Sequence, residues 1–141
     1  MIQATGWSPV DPRKTLSYGA LEDVIRNVDL EEMVKEGGRI VRPSDGKEAK
    51  GVAFIQCGGS RGPAHHSYCS SICCLTSLKQ ALYLRESDPE AKAYIFYEFI
   101  RTPGQYEDFY RRVQEDSGVF LTRGEVSDVQ RGADGGLTVT A

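Results

Sequence analysis

The sequence predicts an α/β fold, and three observations carry that prediction. Three apolar runs of strand length, Val52 to Gln56, Ala93 to Ile100 and Val119 to Thr122, are rich in Val, Ile, Phe and Tyr. Between them lie two stretches with helical apolar spacing, near Ser70 to Glu86 and Tyr106 to Glu115. These connections are too long for hairpins, and strand–helix–strand–helix–strand is the order of a parallel sheet with right-handed crossovers. The expected architecture is a partial Rossmann-like parallel sheet with flanking helices and a C-terminal β-hairpin. Residues 51–141 form that domain, and residues 1–50 are a connecting segment with short helices.

The elements follow in order. Ile2 to Gly6 has the pattern of a buried strand's last residues without its first half, so the chain reads as a piece of a longer protein. Trp7 to Pro12 reads as loop, because two prolines exclude a helix interior and a central strand. Leu21, Val24, Ile25, Val28, Leu30, Met33 and Val34 suit two short helices with a break near Asn27 to Asp29, Asp29 capping the second. Gly37-Gly38 stops that helix, Arg39 to Arg42 reads as a short strand, and Pro43 to Lys50 as a polar turn. In the helix starting at Ser70 or nearby and running to about Glu86, Ile72, Leu75, Leu78 and Leu82 supply a buried stripe, while Lys79, Arg85 and Glu86 face water. Asp88-Pro89 closes it. Tyr94, Phe96, Tyr97 and Phe99 read as core. In the last helix Phe109 and Val113 point inward and Arg111-Arg112 is a solvated face. Glu125 to Gln130 and Leu137 to Thr140, across Gly132 to Gly136, form the hairpin.

Composition narrows the function classes. The chain has 141 residues, enough for one domain with a moderate core. A net charge of -3 and a pI near 5.4 offer no basic field for nucleic acid or anionic lipid. No apolar run approaches the roughly 20 residues that cross a bilayer, so direct membrane insertion is not expected. All four cysteines fall between Cys57 and Cys74. Adjacent Cys73 and Cys74 cannot easily bridge each other, and a disulfide framework confined there would leave the rest of the chain unstapled. Clustered thiols without a secretion signal read instead as ligands or redox groups in a reducing, cytoplasmic compartment.

The spacing is C-x11-C-x3-C-C, set between a strand end and a helix start. Cys69 and Cys73, four apart, would share a face of the helix's first turn, with Cys74 about 100 degrees further round. The free N–H groups and positive dipole end there favour anionic sulfur. Gly58, Gly59 and Gly62 would let the backbone approach and donate to it. A cubane iron–sulfur cluster presents separate corners that adjacent cysteines can each take, whereas one zinc ion needs four sulfurs at about 2.3 Å. An iron–sulfur cluster, a zinc site with His65 or His66 as substitute ligands, and redox thiols all stand open on these residues. His65 and His66 otherwise read as solvated loop, and Arg61 either as a surface residue or as an offset to an anionic group. Gly58 to Gly62 is a poor match to a dinucleotide loop, because Gln56 and Arg61 stand where glycines are needed.

Val52-Ala-Phe-Ile-Gln-Cys-Gly-Gly-Ser-Arg61, Tyr68-Cys-Ser-Ser-Ile-Cys-Cys74, Leu78-Lys-Gln-Ala81 and Ile95-Phe-Tyr97 with Ile100-Arg-Thr-Pro-Gly104 resemble the family of heterodisulfide reductase A-type subunits. They are similar also to a related flavoprotein, the A-type component of the quinone-interacting membrane-bound oxidoreductase, toward which Arg101 to Gly104 and the short cysteine loop lean. The resemblance spans nearly the whole chain. It implies one component of an oxidoreductase complex, an iron–sulfur flavoprotein that relays electrons between FAD and partner subunits. Cys57, Cys69, Cys73 and Cys74 would ligate one [4Fe-4S] cluster near the flavin, and no residue would act as acid or base. Ala4-Thr-Gly6 is similar to the strand end that approaches FAD in such flavoproteins, which places Thr5 and Gly6 on the FAD side. The glycine fingerprint of an FAD-binding half is absent, so this chain by itself is expected to be inactive and to bind FAD poorly. The implied partners are other subunits of a heterodisulfide reductase-like or quinone-interacting complex, which would supply any contact with a membrane.

Overall fold

The computed structural model describes residues 2–3, 11–13, 15–62 and 66–141. Its centre is a three-stranded sheet of β1 (Gly51–Ile55), β2 (Lys92–Tyr97) and β3 (Val119–Arg123), in that spatial order and all parallel. Helices α2 (Cys73–Ser87) and α3 (Glu107–Glu115) form the crossovers, and α1 (Asn27–Gly37) precedes them. A hairpin of β4 (Asp128–Arg131) and β5 (Leu137–Thr140) ends the chain in antiparallel register. The α/β class and the order of elements from β1 onward agree with the sequence-based expectation.

The register explains the core. Val52 stands opposite Ala93 and Phe54 opposite Ile95, while Ala93 faces Val119 and Ile95 faces Leu121. These residues share the face covered by the helices, where Phe54, Ala93, Ile95 and Val119 pack with Leu78, Ala81, Leu84 and Val113. Because strand side chains alternate between faces, Tyr94, Phe96 and Phe120 fall on the other side. Tyr94 is 38% exposed and stacks on Phe120 with ring centroids 5.2 Å apart. The expectation that Tyr94, Phe96, Tyr97 and Phe99 are core is therefore corrected: Tyr94 and Phe99 are exposed and Phe96 and Tyr97 only half-buried outside the core cluster, and the inward positions of β2 are the smaller Ala93 and Ile95.

The first helix also differs from expectation. One helix, not two, runs from Asn27, and Leu21 to Val24 is a hydrogen-bonded turn. Asp29 sits at the third helical position, accepting the Arg26 backbone N–H at 2.8 Å and its Nε at 3.0 Å. It closes the first turn from inside rather than capping it. Asn27 then docks the helix: its Nδ2 donates to Gln80 Oε1 at 2.7 Å, and Gln80 Nε2 donates to Asn27 O and Glu31 Oε1, both at 2.8 Å. Gln80 is wholly buried and fully engaged, as a buried amide must be. Gly38, with φ 66, takes the left-handed position that ends the helix, as expected. Arg39 to Arg42 makes a single bridge, Val41 to Glu48, instead of a strand.

Three further corrections concern α2. It starts at Cys73, later than Ser70, and Ile72 is exposed at its N-cap. Its buried face is Cys74, Ser77, Leu78, Gln80, Ala81, Leu82 and Leu84, since α1 covers a flank that a single apolar stripe would leave open. Arg85 does not face water. Its side chain is 12% exposed, with Nε donating to Asp116 Oδ1 at 2.7 Å and a guanidinium nitrogen to Ala91 O at 2.6 Å. Gly118 N–H donates to the same carboxylate oxygen at 2.8 Å, so one latch ties α2 to the starts of β2 and β3. No helix among the described residues is long and apolar enough to cross a membrane.

Candidate metal centre

At the opposite end of the sheet, where β1 and β2 finish, the chain leaves a small cavity. Open α/β sheets place ligands beyond the carboxyl ends of their strands. Cys57 follows β1, Cys69 lies in the loop before α2, and Cys73 and Cys74 open that helix. All four line this one cavity, with Gln56, Ser60, Arg61, Ile72, Phe99 and Arg101 among its other walls. None is in a disulfide. Because α2 starts at Cys73, Cys69 does not share a helical face with it, contrary to the expectation from spacing. Among the described residues no three His, Cys, Asp or Glu side chains stand close enough together to hold one metal ion.

The loop is shaped by left-handed backbone at unexpected positions. Cys57, Arg61 and Ser71 have φ of 60, 64 and 61, whereas Gly58, Gly59 and Gly62 are not left-handed. Such conformations cost L-residues of order 1–3 kcal/mol each and concentrate at functional sites. The turn at Cys57 ends the ladder abruptly after the Gln56 N–H has bonded to Phe96 O at 3.0 Å. Ser71 N–H donates to Cys69 Sγ at 3.3 Å, and Ser70 Oγ stands 2.7 Å from Cys73 Sγ. In the second pair either atom can donate; among the described residues the backbone N–H directed at cysteine sulfur is that of Ser71, not of a glycine. The N-cap of α2 has no side-chain partner and its first turn no acidic residue, so its N–H groups remain available to anionic sulfur.

Charge is arranged to match. Arg61 is 18% exposed, reaches Cys57 Sγ at 3.9 Å and pairs with Glu98 at 3.2 Å. Its pKa is held above the ordinary value, first by Cys57 and, against desolvation, by Glu98. Its guanidinium carbon lies 4.9 Å from the Phe99 ring centroid, and that of Arg123 lies 5.6 Å from the same ring. Phe99, 45% exposed, is thus a wall of the site. Burial pushes the Cys74 thiol up, opposed by the Arg101 backbone N–H, and the thiols of Cys73, Cys57 and Cys69 push it further.

Gln56 carries the clearest sign of an incomplete site. It is 9% exposed, and its Nε2 is the one buried side-chain nitrogen or oxygen among the described residues with no hydrogen-bond partner. Leaving such a donor unpaired costs about 1–3 kcal/mol. Four thiols around one cavity, two bordering arginines, a helix N-terminus free of acids and an orphaned amide donor fit an anionic sulfur-rich group.

Spacing identified the four cysteines but not Gln56, Phe99 or Arg101. The signal for Gln56 is its register: two residues after inward Phe54 and directly before Cys57. His66 bridges to Ser60 and stacks on Tyr68 at 4.9 Å, and does not line the cavity. Thr5, Gly6 and His65 lie outside the described residues.

No family model matches the chain. It is 39% identical over 137 residues to an A-type CoB–CoM heterodisulfide reductase iron–sulfur subunit of Methanopyrus kandleri, covering 92% of this chain and 21% of that protein. It is 41% identical over 143 residues to the A-type subunit of a ferredoxin/F(420)H(2)-dependent CoB–CoM heterodisulfide reductase of Methanosarcina acetivorans, covering 96% and 18%. The match to the A-type CoB–CoM heterodisulfide reductase iron–sulfur subunit of Methanocaldococcus jannaschii is 42% over 132 residues, covering 88% and 20%. The chain spans about a fifth of the length of these curated relatives. Over that span, and with the four thiols gathered at one end of its sheet, the chain belongs to the family of heterodisulfide reductase A-type subunits.

Proposed function

We propose that Cys57, Cys69, Cys73 and Cys74 hold one [4Fe-4S] cluster in an oxidoreductase subunit that relays electrons between FAD and partner subunits. The observation that carries this reading is that all four cysteines line a single cavity, in a chain whose relatives are named iron–sulfur subunits. When bound, such a cluster supplies one-electron transfer without making or breaking substrate bonds. The chain's own residues bind and surround it. Cys57 approaches from the strand end and Cys69 from the loop, while Cys73 and Cys74 use the helix N-terminus to stabilise thiolate. Arg61 and Arg101 offset negative charge, and Phe99 screens the site from water. No acid or base is required of any side chain.

The full-length protein would bring FAD, with Thr5 and Gly6 on the flavin side by resemblance. Its partners would be the other subunits of a heterodisulfide reductase-like or quinone-interacting complex, in the cytoplasm or at a membrane through those partners. Anaerobic reconstitution with iron and sulfide tests the site. The expected result is a broad visible absorption band with iron and sulfide bound in equal amounts, lost in Cys74→Ser. Stoichiometric zinc without sulfide would overturn the reading in favour of a zinc-stabilised module.

A further inference from the structure

We propose that Gln56 is a positioning residue whose carboxamide donates a hydrogen bond to sulfur of the group held by the four cysteines, and so sets its reduction potential. This rests on the cluster reading above and goes beyond ligation to the control of potential.

Gln56 directly follows β1, two residues after Phe54, and it forms part of the cavity wall with all four thiols. Its backbone N–H is already used, on Phe96 O. Among the described residues its side-chain nitrogen is buried and unpaired, whereas the buried amide of Gln80 is fully engaged. A buried donor without a protein acceptor, in the wall of a thiol-lined cavity, is accounted for by an acceptor that arrives with the ligand. Turning the amide over would set its oxygen against anionic sulfur, so the nitrogen is the end that charge selects. Arg61 is committed to Glu98 and Cys57, and Gln56 supplies a neutral donor from the sheet side.

Accepting one electron from a flavin or a partner protein would make the whole group one unit more negative, with part of that charge on its sulfur atoms. A donor hydrogen bond strengthens with that charge, stabilises the reduced form and raises the potential. The test uses the full-length protein, reconstituted anaerobically, and follows the electron paramagnetic resonance signal that Cys74→Ser abolishes. Gln56→Met, similar in length and without a donor, is expected to keep that signal and shift its midpoint to lower potential. Gln56→Glu is expected to shift it further, because a carboxylate replaces the donor. With nitrogen-15-labelled glutamine, the wild-type signal should carry a nitrogen coupling that Gln56→Met loses. An unchanged midpoint in Gln56→Met overturns the proposal and leaves the cluster reading standing. Failure of Gln56→Met to assemble the cluster while folding normally also overturns it, since a tuning donor is not needed for assembly. If Gln56→Met does not fold, Gln56→Asn, which withdraws the amide by one methylene, carries the same comparison. No Cys74-dependent signal in the wild type overturns the cluster reading itself, and this proposal with it.

Discussion

The two ends of the parallel sheet are built to opposite purposes. At the end where β2 and β3 begin, Arg85, Asp116 and Gly118 form a closed latch in which one carboxylate oxygen receives two donors and the guanidinium also meets backbone carbonyls. At the end where β1 and β2 finish, the Gln56 side-chain nitrogen has no partner among the described residues, Cys57 and Arg61 are left-handed, and Phe99 is exposed beside four free thiols. The first end is satisfied by its own sequence and contributes stability. The second keeps an unpaired buried donor and left-handed non-glycine residues, the kind of cost that concentrates at functional sites.

The largest test of that contrast sets a core residue against a thiol. Ile95 and Leu78 are fully buried, so Ile95→Ala or Leu78→Ala should cost about 2–5 kcal/mol in urea unfolding. Cys57→Ser or Cys69→Ser should abolish iron and sulfide uptake while leaving the apoprotein's unfolding midpoint nearly unchanged. Thiol variants that unfold like the core variants would break the contrast. Next comes the latch: a Cβ on Gly118 would collide with the Arg85 guanidinium, which is pinned by its bonds. Gly118→Ala should lose about 1–3 kcal/mol, seen as a lower thermal midpoint.

A smaller effect concerns pH. The Arg26 side chain holds the Asp29 carboxyl below its ordinary range, and Lys79 with Gln80 does the same for Glu31 against the opposing effect of burial. A lowered folded pKa means the charged form stabilises the native state. That contribution is present above the unfolded pKa and is lost as pH falls through the carboxylate range. Asp29→Asn should therefore flatten the loss of stability between about pH 5 and pH 3, read by urea unfolding at each pH. The smallest change is expected at Ser71, whose φ of 61 suits glycine. Ser71→Gly relieves strain at an entropic cost of similar size, so its stability should stay within about 1 kcal/mol of the parent.

Much of this was legible along the chain. Strand and helix periods, the Gly38 stop and the hairpin around Gly132 to Gly136 depend on local geometry, and they appear where the spacing puts them. The thiol site was legible because its ligand type is rare and confined to eighteen positions. What misled was composition read without register. Tyr94 and Phe99 look like core, yet strand alternation and the end of β2 expose them. Arg85 looks solvated, yet Asp116, thirty-one residues away, draws it in. Asp29 looks like a cap, yet Arg26 engages it from the position before the helix.

By itself the sequence determined the α/β class, the order of elements from β1 onward and the four cysteines, because periodicity and residue chemistry act over a few neighbouring positions. Only the tertiary structure decided that α2 starts at Cys73 and that Cys69 stays in the loop. Only it decided that Arg85 closes one end of the sheet while, among the described residues, the Gln56 side-chain nitrogen is left without a partner at the other. Those outcomes depend on which groups from distant segments meet once the core has packed, and a buried donor is satisfied or orphaned by its neighbours in space rather than in sequence.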